Sequence, residues 1–136
     1  VILTPHIKEF SRISGNTAEE VLAAPVACAQ QLAREYAATI VLKGAGTVIT
    51  DGKNTVINTR GCSALAKAGS GDMLAGYMCG SIARGLTPFE GAVCAAYTLG
   101  AAAELAAGEV TEYCATADDI LKKIPFTVKS FCIQVR

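Results

Sequence analysis

Thr39-Ile40-Val41-Leu42-Lys43-Gly44-Ala45-Gly46-Thr47-Val48-Ile49-Thr50-Asp51-Gly52-Lys53-Asn54-Thr55-Val56-Ile57-Asn58 is the stretch that decides the fold. Thr39 to Lys43 is a compact β-branched run, the composition of a strand. Gly44-Ala45-Gly46 punctuates it, and Thr47 to Thr50 begins a second strand. Asp51-Gly52-Lys53-Asn54 carries a hairpin turn signal, with a third strand from Thr55 to Asn58. Upstream, Val1 to Thr4 reads as a short buried strand, closed at Thr4-Pro5 because proline disfavours helical backbone at the residue before it. A short helix over Lys8 to Ile13 stops at Ser14-Gly15-Asn16. Thr17 then caps a helix whose first turn holds Glu19 and Glu20, where acids suit the positive end. Pro25 divides that region, with a longer helix running to Tyr36.

Downstream, a glycine-rich loop from Arg60 to Gly71 leads into a helix over Ser70 to Arg84, which Gly85 stops. Thr87-Pro88 is an N-cap followed by proline at the first helical position, and it opens a helix to about Ala107. Ala117 to Lys123 forms a last helix that Ile124-Pro125 is expected to end, and Phe126 to Arg136 matches no pattern. Gly76 and Gly80, at i, i+4 spacing, are expected to mark close helix packing. Strands alternating with helices around an antiparallel hairpin predict a layered α/β fold.

A chain of 136 residues can bury one ordinary core. Hydrophobic residues at 51% and charged residues at 18% make it apolar for that size. The predicted strands are few for a complete sheet, and the chain opens on Val1 inside a strand-like run. The expectation is part of a larger domain whose N-terminal portion lies elsewhere. The 12 basic residues are scattered and the formal net charge is zero, which argues against a nucleic-acid partner. Cys28, Cys62, Cys79, Cys94, Cys114 and Cys132 have no paired spacing and His6 is the one imidazole, so no metal-binding cluster is expected. Thiols inside apolar helices point to a reducing, cytoplasmic compartment. The Gly91 to Gly108 run is Ala- and Gly-rich and contains Glu104, unlike an inserted membrane helix, and the N-terminus lacks signal-peptide organisation. Small residues on the Pro88 to Ala107 helix suggest a homo-oligomer.

Three segments carry chemistry. In Leu65-Ala66-Lys67-Ala68-Gly69-Ser70-Gly71-Asp72-Met73-Leu74-Ala75-Gly76, a glycine-rich loop opens directly into a helix. Backbone N–H groups left free there converge on one spot and suit a phosphate. Gly69 and Gly71 allow close approach, and Asp72 in the first turn could take a proton from a substrate hydroxyl. The same pattern also fits Ser70 as a plain helix cap with Asp72 complementing the dipole. Lys43-Gly44-Ala45-Gly46-Thr47 presents amides, a hydroxyl and an ammonium at a strand end, where open α/β sheets bind ligands. It also fits an ordinary tight turn. His6, just beyond a strand end in Thr4-Pro5-His6-Ile7-Lys8-Glu9-Phe10, is either ligand-facing or structural.

Taken in order, Leu3-Thr4-Pro5-His6 with Glu9-Phe10, Val41 to Thr47 and Ala66 to Gly76 closely resemble the NAD(P)H-hydrate dehydratases of the ribokinase-like fold. The resemblance runs from Val1 to about Ile124. It implies an ADP-dependent repair enzyme that restores NADH and NADPH from NADHX and NADPHX, the forms hydrated at a nicotinamide double bond. It further implies Asp72 as the base at the ring hydroxyl, and His6 and Asp72 as contacts to the hydrate. Lys43, Gly44, Ala45, Gly46 and Thr47, with Gly69, Ser70 and Gly71, would hold the nucleotide. Mg²⁺ would accompany the phosphates without a protein cage, and the family is commonly oligomeric. The chain departs from the family at Gly61-Cys62-Ser63-Ala64, where Gly-Asn-Pro-Gly is frequent. A small-molecule kinase of the same fold, of hydroxyethylthiazole or hydroxymethylpyrimidine type, shares the glycine loop and its Asp. A non-catalytic nucleotide-binding module is the alternative outside enzymes.

Overall fold

Ile40, Leu42 and Val48 turn to one face of the central sheet and Val41 and Ile49 to the other, as successive strand residues must. The computed structural model describes residues 1–133 and places a helical layer over each face. The sheet holds β1 (Ile2–Leu3), β2 (Thr39–Leu42), β3 (Thr47–Thr50) and β4 (Thr55–Asn58) in that spatial order. β1 is parallel to β2, with Ile2 opposite Thr39 and Leu3 opposite Ile40. The β2–β3 and β3–β4 pairs are antiparallel. A parallel pair requires a crossover, which α1 (Ile7–Ser14), α2 (Ala18–Ala23) and α3 (Pro25–Tyr36) supply. Phe10, Val21, Leu32 and Ala33 from these helices pack on Ile40, Leu42 and Val48. The opposite core joins Val41 and Ile49 to α4 (Ser70–Ala83), α5 (Pro88–Val110) and α6 (Ala117–Ile133) through Leu74, Met78, Leu99, Ile120 and a run of alanines. The predicted α/β layering is therefore present.

The hairpin forms where its turn residues stand. Asp51 Oδ1 accepts the N–H groups of Lys53 and Asn54 at 2.9 and 2.6 Å. Gly52 adopts φ +90°, and a Cβ there would stand 2.7 Å from Arg34 Cγ. Arg34 Nη1 donates to the Gly52 carbonyl at 3.0 Å, which ties the hairpin to α3.

Three expectations change. Pro125 lies inside α6 and does not end it. Ile120, Ile124 and Thr127 recur at helical spacing, Ile120 and Thr127 buried and Ile124 packed on the core, so tertiary contact carries the helix past the missing donor. The Thr127 hydroxyl also donates to the Lys123 carbonyl at 3.1 Å. The unassigned tail thus belongs to α6 as far as Ile133, and residues 134–136 lie outside the described residues. Second, Gly76 and Gly80 are exposed and a Cβ on either would meet nothing within 4 Å. The close approaches are at Gly91, 2.8 Å from Ile82 Cγ1, and at Gly100, 2.6 Å from the Arg60 carbonyl oxygen. Third, the small residues of α5 are spent inside the chain: Ala92, Ala95, Ala102, Ala103 and Ala106 are buried. They no longer argue for an oligomer. By length and composition α5 could cross a membrane, yet 61% of its most apolar window is buried in this fold, the situation of a core helix.

Reciprocal caps start α1, α2, α5 and α6, pairing His6 with Glu9, Thr17 with Glu20, Thr87 with Glu90 and Thr116 with Asp119. Backbone N–H bonds from His6, Thr17 and Thr87 hold the three glutamates below their ordinary value of 4.5, and the Thr116 hydroxyl leads in holding Asp119 below 3.8. The unfolded chain therefore binds more protons than the folded chain between the lowered and ordinary values. Stability from these caps is complete above the ordinary values and is lost as pH falls through the lowered ones. Urea midpoints should decline on acidification below pH 4.5, the ordinary glutamate value, and the decline should be shallower in a Glu20→Gln/Glu90→Gln double variant. The two kinds of helical glycine also separate by experiment. Gly80→Ala should raise stability by about 0.5–1 kcal/mol through helix propensity. Gly100→Ala should lower it by roughly 1–3 kcal/mol because the new methyl meets backbone. Denaturant unfolding of both variants measures the two signs.

Candidate active site

Parallel strands β1 and β2 run side by side, and one register carries past Pro5 to a His6–Lys43 bridge. Thr39 N–H donates to the Val1 carbonyl at 3.0 Å, and Lys43 N–H donates to the Pro5 carbonyl at 2.9 Å. Pro5 offers that acceptor and no donor, so the ladder loses a rung and shrinks to an isolated His6–Lys43 bridge. Crevices at the carboxyl ends of parallel strands are where open α/β sheets receive ligands.

Beyond β2, the Lys43–Thr47 segment is closed by its own threonine. The Thr47 hydroxyl donates to the Gly44 carbonyl at 3.1 Å and accepts the Gly44 N–H at 3.4 Å. Gly44, Ala45 and Gly46 are exposed, and a Cβ on Gly44 would meet nothing within 4 Å. Backbone can therefore meet a ligand there without side-chain obstruction.

The glycine loop reaches the same region from the other core. Gly69 is the N-cap of α4 at φ +89°, a left-handed conformation that favours glycine, and no side chain caps the helix. Ser70 is the first helical residue; its N–H donates to the Lys67 carbonyl at 3.3 Å, and its hydroxyl does not cap. The plain-cap reading of Ser70 is thereby corrected. Among the described residues, neither the Gly71 nor the Asp72 N–H donates to a protein acceptor. A Cβ at Gly71 would enter open space. Unpaired amides at the positive end of a 14-residue helix fit an anion such as phosphate.

Asn58 to Gly61 determine where that loop begins. Asn58 Nδ2 donates to the Ala96 and Arg60 carbonyls, each at 3.1 Å. The Glu104 carboxylate accepts the Gly61 N–H at 2.7 Å and pairs with Arg60 Nη2 at 2.7 Å. Gly61 stands at φ +122°, followed by a 3-10 turn over Ser63–Leu65. The Gly61-Cys62-Ser63-Ala64 departure is thus accommodated by anchorage to α5.

These parts meet in one open cleft of about 460 Å³. Thr4, Pro5, Lys43, Gly71 and Asp72 line it, joined by Glu9 and by the apolar Leu3, Ile13 and Ala75. All three sequence segments are therefore represented in a single space. The remaining predicted residues stand outside its lining: Gly44 to Thr47 beyond Lys43, Gly69 and Ser70 behind Gly71, and His6 next to Pro5. Asp72 is exposed and makes no ion pair among the described residues, so its carboxylate is available.

His6 has a second occupation. Its Nδ1 accepts the Glu9 N–H at 3.2 Å, and its Nε2 lies 3.3 Å from Glu9 Oε1. The imidazole therefore caps α1, and Glu9, which received no role from sequence, is the residue facing the cleft. The hydrogen bond from the His6 N–H is the leading cause of Glu9's lowered pKa, with the charges of His6 and Lys43 adding to it. Lys43 Nζ stands 4.0 Å from Glu9 Oε2. A histidine followed three residues on by glutamate at a helix start was the available signal for this cap. Nothing in the local pattern announced Ile13 or Ala75, which the fold brings in from helix flanks.

A three-layer α/β fold with a glycine-led helix start facing parallel strand ends places the chain among ribokinase-like proteins. A ribokinase-like superfamily protein of Enterococcus faecalis is 26% identical and superposes with a TM-score of 0.72 over 95% of this chain and 44% of its own. Residues 1–126 match the family described as NAD(P)H-hydrate dehydratase, and the chain belongs to that family. The ADP-dependent (S)-NAD(P)H-hydrate dehydratase of Cenarchaeum symbiosum is 38% identical over 130 residues, 96% of this chain and 45% of the relative. The crystal structure of ADP/ATP-dependent NAD(P)H-hydrate dehydratase from Bacillus subtilis, co-crystallised with ATP/Mg²⁺, is 35% identical with a TM-score of 0.90. It covers 96% of this chain and 48% of that one. The chain thus spans about half the length of these two dehydratases.

The cap assignment has a direct test. His6→Ala should cost about 0.5–2 kcal/mol of stability, and His6→Asn, which restores a capping acceptor, should recover most of it in thermal unfolding.

Proposed function

We propose that this chain carries the nucleotide-binding and base-bearing part of an ADP-dependent enzyme that dehydrates NADHX and NADPHX to NADH and NADPH. The observation that carries the reading is the cleft in which free Gly71 and Asp72 amides, the Asp72 carboxylate and the Lys43 ammonium meet beside Thr4–Pro5. ADP phosphates would lie against the free amides of Gly71 and Asp72, where Gly69 and Ser70 set the start of the helix, with the Lys43–Thr47 turn holding the rest of the nucleotide. Asp72 takes the proton of the ring hydroxyl as that oxygen attacks the β-phosphorus of ADP. The bond from phosphorus to the AMP oxygen breaks as the new one forms. Phosphate then departs with the electrons of its bond to carbon, and loss of a proton from the adjacent carbon restores the ring double bond. The products are AMP, phosphate and the reduced nicotinamide. Phosphate leaves far more readily than hydroxide, which gives the nucleotide its purpose.

The residues present fit Mg²⁺ carried by the phosphates. Glu9 is engaged with His6 and Lys43, and Asp72 is the free carboxylate at the cleft. Mg²⁺ would supply charge neutralisation to the transferring group. His6, occupied as a cap through Nδ1, would reach the hydrate only by its exposed edge. We also assign the reaction to a reducing, cytoplasmic setting, supported by the free thiols of Cys28, Cys62, Cys79, Cys94 and Cys114. A homo-oligomer remains part of the proposal, resting on the family resemblance alone.

The decisive assay supplies NADHX and ADP to the full-length protein and follows the return of reduced-nicotinamide absorbance. No return sinks the proposal, and accumulation of a stable phosphorylated alcohol would assign a kinase. Asp72→Asn should lower turnover by about 10²–10⁴-fold while leaving the fold and ADP binding intact. Undiminished repair by this variant removes Asp72 from its role as base.

A further inference from the structure

We propose that Lys67 is a positioning residue whose ammonium locks the glycine loop to the segment between α5 and α6, and so aims Gly71 and Asp72 into the cleft. Lys67 Nζ donates to the carbonyl oxygens of Glu112, Tyr113 and Ala115 at 3.1, 2.7 and 2.6 Å. An ammonium has three N–H donors, and all three are used. The bond runs in the reverse direction as well. The Glu112 carboxylate accepts the Ser63 N–H at 3.0 Å and also the Ser63 hydroxyl. Each segment thus sends one charged side chain into the backbone of the other. Ser63 begins the 3-10 turn and Lys67 ends two residues before the cap Gly69, so the two contacts bracket the loop. The Lys67 carbonyl also accepts the Ser70 N–H, which makes this residue the last fixed point before the free amides.

The partner segment has a fixed shape for the lysine to read. Thr111 follows α5 at φ +72°, a left-handed conformation costly for a β-branched residue, with its N–H on the Ala107 carbonyl at 2.8 Å. Ala115 is buried in the α4–α6 core and donates its N–H to the Thr111 carbonyl at 3.0 Å. Carbonyls aimed at one point by such a turn lose their common partner if the ammonium is removed. Lys67 lines none of the cleft and acts through the loop it holds.

This inference rests on the dehydratase reading for its consequence in turnover, and its geometry is tested apart from that reaction. Amide hydrogen exchange on the full-length protein compares wild type with Lys67→Ala and with Glu112→Gln, which removes charge but little volume. Both variants should speed exchange at Leu65, Ala66 and Ser70 by about tenfold or more while β2 and β3 stay protected. ADP affinity should fall by about tenfold in Lys67→Ala, from loss of charge-assisted hydrogen bonds, and methylammonium should recover part of it. Uniformly faster exchange, or loop exchange unchanged in Glu112→Gln, overturns the proposal. A wild type inactive on NADHX with the predicted exchange pattern would sink the function and leave the lock standing.

Discussion

Among the glycines of the described residues, the tightest approach is that of the Arg60 carbonyl to Gly100. An oxygen occupies a point 2.6 Å from where a side chain on residue 100 would begin. α5 can come this near to the end of β4 because residue 100 has no Cβ, and the alanines along the helix keep the rest of the approach shallow. The start of the glycine loop is held at that approach. Asn58 reaches the Ala96 carbonyl, Glu104 takes both Arg60 and the Gly61 N–H, and the glycine loop departs from a fixed origin. Arg60 also lies 5.8 Å from the Tyr97 ring centroid, which adds a cation–π contact on the outer side.

Layering and element order were legible in the sequence because they depend on local signals. Thr17, Thr87 and Pro88 start helices for the reasons short-range chemistry supplies, and Asp51-Gly52 turns the hairpin. Pro125 was misread because a proline looks the same whether the helix around it is solvated or seated on a core. Gly76 and Gly80 were misread for a related reason. Glycine spacing states that an approach is possible, and only the fold shows that it occurs at Gly91 and Gly100.

The site was legible as three motifs but not as a shape. Thr4–Pro5, Lys43 and Gly71–Asp72 do meet. Glu9 was hidden because its role depends on His6 being turned into a cap, and Ile13 and Ala75 because apolar residues on helix flanks announce no ligand. The Lys67–Glu112 exchange joins residues 45 apart, a separation at which one sequence holds no pairing signal. Helix starts show the same division. α1, α2, α5 and α6 close their first turns with their own side chains, whereas α4 leaves its amides to whatever enters the cleft.

The cap of α1 has a second effect, on the edge of the sheet. β1 ends the described sheet, so the side of Ile2–Leu3 turned away from β2 has no ladder partner among the described residues. Such an edge is a template for any extended chain, and proteins limit it by keeping edge strands short or by ending them in proline. Beyond Thr4 another device operates, since the His6 N–H goes to Glu9 Oε2 at 2.8 Å and the His6 carbonyl accepts the Phe10 N–H at 2.8 Å. The residue that starts α1 thereby leaves a neighbouring strand no free N–H to pair with at that position.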